Sequence, residues 1–105
     1  MIEINMTYDL LPGTDQKAYQ EWAKRASGAV LASPGLIEIR ANRNILGSPE
    51  IRISTVWRTL SDWAAFSEGE VWKGLRQQID SFVTHRKVEI WGPSLVMPEP
   101  LRPEK

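Results

Sequence analysis

Cysteine is missing from this chain, and histidine occurs once in 105 residues. Those absences remove disulfides, thiol nucleophiles, thiolate metal sites and any centre built from several imidazoles. Charge of either sign is in no excess, since 13 basic side chains cancel 13 acidic ones. Without a basic field there is no electrostatic footprint for a phosphate backbone, so nucleic acid is not an expected partner. No apolar run approaches the ~20 residues that cross a bilayer, and the chain opens on alternating residues rather than on a basic stretch followed by an apolar one. Neither a membrane nor export is expected, and a cysteine-free chain of this kind reads as cytoplasmic. Also missing are a Gly-rich phosphate loop, a nucleophile elbow, a paired-histidine motif and carboxylates at metal spacing. Nucleotide enzymes, metallohydrolases and serine-type esterases of familiar pattern are thereby set aside. What remains is pocket chemistry with no cofactor and no metal, or plain binding.

Against these absences stand five tryptophans. Each large aromatic buries roughly 150–250 Å², and a core of about 100 residues does not hide five of them easily. Some must line a pocket or an interface.

The patterning is regular. Ile2, Ile4, Met6, Tyr8 and Leu10 alternate with Glu3, Asn5, Thr7 and Asp9, the period of an amphipathic strand. Pro12-Gly13 interrupts, and Thr14 or Asp15 is placed to cap a helix carrying Tyr19, Trp22, Ala26, Ala29 and Val30 on one stripe. Ser33-Pro34-Gly35 ends that helix and opens a strand with Ile37 and Ile39. A second run from Ile51 to Trp57 pairs with it through the short, turn-rich segment 44–49. Thr59 or Ser61 then caps a helix holding Trp63 and Phe66. Gly69 breaks it, Trp72, Leu75, Ile79 and Phe82 resume the spacing, and Thr84–Trp91 reads as a last strand. Pro98, Pro100 and Pro103 predict an extended tail.

The order β-α-β-β-α-β predicts a ferredoxin-like α+β sandwich, with two helices on one face of a four-stranded antiparallel sheet. One domain is expected over residues 1–92, followed by a Pro-rich tail over 93–105. The second sheet face is predicted to carry Glu3, Glu38 and Glu89 among Arg40, Arg52 and Lys87, with Asn5, Val56 and Trp91 between them. A second copy of the same sheet is the economical cover, making the expected assembly a homodimer.

Trp22, the Ser33-Pro34-Gly35 turn, Val56-Trp57-Arg58 and the series Trp63, Phe66, Val71, Leu75 together resemble the antibiotic biosynthesis monooxygenase-like group of dimeric α+β barrels, from about Ile4 to Trp91. That resemblance implies a sheet-to-sheet homodimer with a small-molecule pocket in each subunit. It also implies a cofactor-independent monooxygenase acting on a small aromatic or polyketide-like compound. Two departures accompany it. Phe66 stands where many such members have a histidine, and Arg76 stands where a haem-degrading branch has its iron ligand. Asn5 and Trp63 fit that branch, but a guanidinium stays protonated and is no neutral donor to iron.

On this reading Asn5 and Arg76 are the candidate catalytic residues, holding developing negative charge. Tyr8, Trp63, Phe66 and Trp72 are the candidate substrate-binding wall. Each has a plainer alternative: Asn5 as an interface amide, Arg76 as an exposed helix arginine, the aromatic residues as core packing. Trp57 reads as a packing residue where strand meets helix. Tyr8 and Tyr19 have no visible partner. His85, the one conventional general base by residue type, stands beside Arg86 and Lys87, which argues for an edge position. A ligand-binding protein without catalysis is the alternative function.

Overall fold

The alternation at the start of the chain becomes strand β1 (Ile2–Leu10) in a computed structural model that describes residues 1–104. It is followed by α1 (Gln16–Leu31), β2 (Leu36–Arg43), β3 (Ile51–Trp57), α2 (Leu60–Ser67), α3 (Glu70–Ile79) and β4 (Val83–Trp91). The fold is ferredoxin-like, with a four-stranded sheet in the order β2-β3-β1-β4 and every neighbouring pair antiparallel. Its one difference in element order from the expected β-α-β-β-α-β is the division of the second helix.

Local chemistry explains where the helices begin and end. The Asp15 carboxylate accepts from the Ala18 amide (3.1 Å) and so satisfies one of the free first-turn donors of α1. Thr59 does the same for α2 by accepting from the Asp62 amide at 3.1 Å, and its hydroxyl donates back to the Asp62 carboxylate at 3.0 Å. Gly69 takes an extended backbone rather than continuing α2, and Glu70 then sits in the first turn of α3, where a negative charge suits the helix dipole.

The Ser33-Pro34-Gly35 turn has a stricter requirement than punctuation. Gly35 has φ = 87°, a region L-residues rarely adopt, and a Cβ placed there would lie 2.3 Å from the Asp62 side chain. Its carbonyl also accepts from the Arg58 amide at 2.8 Å. The entry to β2 is thereby clamped to the start of α2.

The helices cover the sheet face that carries the even-numbered residues of β1. Under them the buried residues fall into two clusters. One gathers Tyr8, Trp22, Ala26, Leu75, Ile79 and Val83. The other gathers Ile4, Val30 and Trp57, the last only 1% exposed. Trp57 therefore packs where β3 hands over to α2, with its indole N–H donating to Thr55 Oγ1 at 2.8 Å. Trp22 ties α1 to α3 through an indole N–H donated to the Leu75 carbonyl at 2.9 Å.

The opposite face of the sheet is polar and cross-linked. Arg40 pairs with Glu3 and with Glu38, Ser54 donates to the Asn5 carbonyl oxygen, and Lys87 pairs with Glu89. At its edge the β1–β4 register shifts between Thr7 and Asp9. His85 takes φ = 58° there, a conformation histidine tolerates better than most residues. Asp9 accepts from Ser48 Oγ (2.7 Å) and the Glu50 amide (2.8 Å), and His85 Nδ1 lies 3.1 Å away. The Ser48 hydrogen bond, then the Glu50 amide and His85, hold the Asp9 carboxyl below its ordinary range despite partial burial.

Beyond Trp91, residues 92–104 form no helix or strand and are exposed, and residue 105 of the expected 93–105 tail lies outside the described residues. Among the described residues no helix is long and apolar enough to cross a membrane, and no group of three or more acidic or imidazole side chains is placed to hold a metal ion.

Candidate functional site

Between the two buried clusters the sheet and helices do not close. They leave a partly open cavity of about 310 Å³, at the small end of the ~300–1,000 Å³ range of ligand sites. The floor comes from alternate residues of two central strands: Ile4, Met6 and Tyr8 on β1, Ile53 and Thr55 on β3. Across from it α1 turns small side chains inward, Ala23, Ala26 and Ser27, which leave the space unfilled. Trp63, Phe66 and Trp72 wall the remaining side from α2 and α3. Phe66 is central to that wall, its ring centroid 5.6 Å from Trp57 and 5.7 Å from Trp72. Such tilted contacts hold flat surfaces in fixed orientation.

The polar groups on this lining are few. Arg76 projects from α3 and Arg86 from β4. Arg86 is partly committed, its Nε donating to Asp80 Oδ1 at 3.1 Å. Arg76 has no carboxylate within ion-pair distance among the described residues, so its charge is available to the cavity. Tyr8 and Tyr19 meet through their hydroxyls at 2.6 Å, and burial pushes both phenols upward, Tyr8 furthest. Neither is a proton acceptor at neutral pH. No carboxylate and no imidazole is among the lining residues. The inventory is therefore one of donors and positive charge in an aromatic box, suited to oxygen atoms carrying partial or full negative charge.

Five of the six expected site residues, Tyr8, Trp63, Phe66, Trp72 and Arg76, come together here from three elements. Asn5 does not. On β1 successive side chains point to opposite faces, and Asn5 lies on the polar face, accepting from Ser54 Oγ and donating to Glu3 at 3.3 Å. It is separated from the cavity by the sheet itself. His85 is exposed at the strand edge, as its basic neighbours suggested, and is not part of the lining. The imidazole ligand of the haem-degrading branch thus has no counterpart in the cavity, where Arg76 stands instead.

Three features escaped the sequence reading. Tyr8 and Tyr19 do have partners, namely each other, across 11 residues and two different elements. Arg86 lines the cavity because it alternates with Val88, which pairs with Met6, on the helix-covered face of β4. The run Ala23, Ala26, Ser27 was a usable signal: small residues on a buried helix face opposite large aromatic ones mark space, not only packing.

A four-stranded sheet in this order, covered by helices on one face, defines a ferredoxin-like α+β protein, here with an aromatic-lined cavity beneath the helices. Residues 1–78 match the family model for antibiotic biosynthesis monooxygenase, and the chain belongs to that family. Solved structures agree on the fold. A Nitrosomonas europaea protein described as a candidate antibiotic biosynthesis monooxygenase superposes with a TM-score of 0.72 at 17% identity, covering 88% of this chain and 97% of that one. SnoaB, a cofactor-independent oxygenase from Streptomyces nogalater, gives 0.77 at 9% identity over 93% and 97%. A dabb family protein with a ferredoxin-like fold from Mesorhizobium loti gives 0.74 at 11% over 89% and 96%. No curated protein matches the sequence significantly.

Proposed function

We propose that this chain is a cofactor-independent monooxygenase-like enzyme for a small aromatic or polyketide-like compound, working as a cytoplasmic homodimer. The observation that carries the reading is the cavity: a partly open box of Trp63, Phe66 and Trp72 with the exposed, unpaired guanidinium of Arg76 on its lining. Family membership and the fold shared with SnoaB support the reaction class.

In this chemistry a bound phenol loses a proton and its ring carbon forms a bond to dioxygen. One oxygen atom stays on the ring as a new carbonyl and the other leaves as water, with the hydrogens and electrons supplied by the substrate. The enzyme's part is to hold the negative charge on the phenolate oxygen, a role we assign to Arg76, and to keep water away from the reacting carbon. Asn5 receives no part in this step. We assign it to the second sheet face, with Arg40, Glu3 and Ser54, as part of the surface that a second copy covers. Residues 1–92 would then form the folded unit and 93–105 an arm free to lie across the neighbouring subunit.

Oxygen uptake with dihydroxynaphthalene and anthrone-like compounds tests the reading, with quinone absorbance as the product signal. Arg76→Gln is expected to lower turnover at least tenfold while leaving thermal stability within a few degrees.

One observation favours a second reading. No group able to accept a proton at neutral pH lines the cavity, as catalysis of a weakly acidic phenol requires. A protein that only stores or senses the aromatic compound needs no such group. Ligand-induced quenching of tryptophan fluorescence without any oxygen consumption would select that alternative.

A further inference from the structure

The chemistry above leaves the two tyrosine hydroxyls unused. They come from β1 and α1 and meet at 2.6 Å inside a cavity that is otherwise largely apolar. A pair of hydroxyls has two protons and one mutual contact, so one O–H is left over. Neither hydroxyl has a second partner within hydrogen-bond distance among the described residues. Tyr8 is 0% exposed. Tyr19 is held by its ring, stacked on Trp22 at 6.3 Å and edge-on to Phe82 at 6.0 Å, which fixes where its oxygen sits. Tyr8 is out of reach of water, so its O–H has only the Tyr19 oxygen to donate to, whereas Tyr19 is half-buried. The free proton is then the one on Tyr19. A ligand that displaces water from this half-buried hydroxyl without offering an acceptor leaves its proton unpaired, which is costly.

We propose that the Tyr8–Tyr19 pair is the ligand-oxygen subsite of the cavity, with Tyr19 donating to a carbonyl or ionised phenol oxygen on a flat aromatic ring. Tyr8 is its positioning residue, orienting the Tyr19 hydroxyl by donating to it. The assignment rests on the aromatic-site reading of the cavity and adds a selectivity to it. Aromatic ketones, quinones and phenolates are favoured over hydrocarbons of the same shape, because only they satisfy the leftover proton.

The test measures binding of 1,4-naphthoquinone and of naphthalene to wild type and to Tyr19→Phe by titration calorimetry, with the infrared carbonyl stretch of the bound quinone. Wild type is expected to shift that stretch below its value in an aprotic solvent. In Tyr19→Phe the stretch returns, quinone affinity falls about two- to tenfold, the range of one neutral hydrogen bond, and naphthalene affinity stays within about twofold. Tyr8→Phe keeps the donor and is expected to show a smaller loss. Unchanged quinone affinity and stretch in Tyr19→Phe, with both probes still bound, overturns the subsite alone. If wild type binds neither probe, the aromatic-site reading fails and the subsite fails with it. Should Tyr19→Phe not fold, an unshifted carbonyl stretch in wild type is enough to overturn the assignment.

Discussion

The two faces of one sheet differ more than any two separate elements of this molecule. Towards the helices the strands present Ile4, Met6, Tyr8, Ile53 and Trp57, which build the core and the cavity floor. Away from them the same strands present Glu3, Asn5, Ser54, Arg40 and Glu89, joined in ion pairs and hydrogen bonds. Neighbours in sequence are thus assigned to different tasks. Val56 and Trp57 are covalently adjacent, yet one faces the polar surface and the other is among the most buried residues in the chain. On the proposed reading, a sheet one residue thick insulates ligand chemistry on one side from association on the other.

If the comparison is right, the largest effect belongs to Trp57. Replacing it by alanine removes a fully buried indole and is expected to cost about 3–5 kcal/mol, read from urea or heat unfolding. A loss below about 1 kcal/mol would mean that the helix-covered face is not the load of the fold. Next comes its neighbour. Val56→Asp adds a charge to the polar face and is expected to weaken self-association at least tenfold by sedimentation equilibrium, with aromatic-ligand binding to the cavity unaltered. Equal damage to both properties would break the insulation argument.

Smaller still is the effect of Arg40→Ala. Its ion pairs with Glu3 and Glu38 are half exposed, and such pairs contribute roughly 0–1 kcal/mol. Within a single subunit the variant should therefore unfold within about 1 kcal/mol of wild type, while dimer dissociation is the measurement in which it departs.

Asp9→Asn sharpens the comparison at the edge of the polar face. The native carboxyl titrates below its ordinary value near 3.8, so the folded state favours the charged form. That contribution is complete above the ordinary value and is lost as pH falls through the lowered one. Wild type should melt above the variant at neutral pH, and the gap should close in strong acid. A gap that persists unchanged to acid pH would assign the effect to packing rather than to charge.

Much of this arrangement is legible without coordinates. Period-two spacing from Ile2 identifies both faces of β1, and it already places Asn5 with Glu3 rather than with Tyr8. Assigning Asn5 to the pocket followed the family pattern against that alternation, and the alternation prevailed because a strand cannot turn one side chain to both faces. Trp63, Phe66 and Trp72 were legible for the opposite reason: helical spacing aims them at the sheet, and large rings have few other places to go. Arg76, exposed on α3, was instead singled out by the family pattern alone. The division of the second helix at Gly69 was visible as a break in that spacing.

What the amino-acid order determined on its own is the set of elements, their caps and the face on which each side chain lies, because these depend on dihedral preferences and on periods of two and 3.6 residues. Tertiary structure alone decided that Tyr8 meets Tyr19 and that the bulge at His85 turns Val83 back into the core. Those outcomes depend on the distance between elements far apart in the chain, and no local preference encodes that distance.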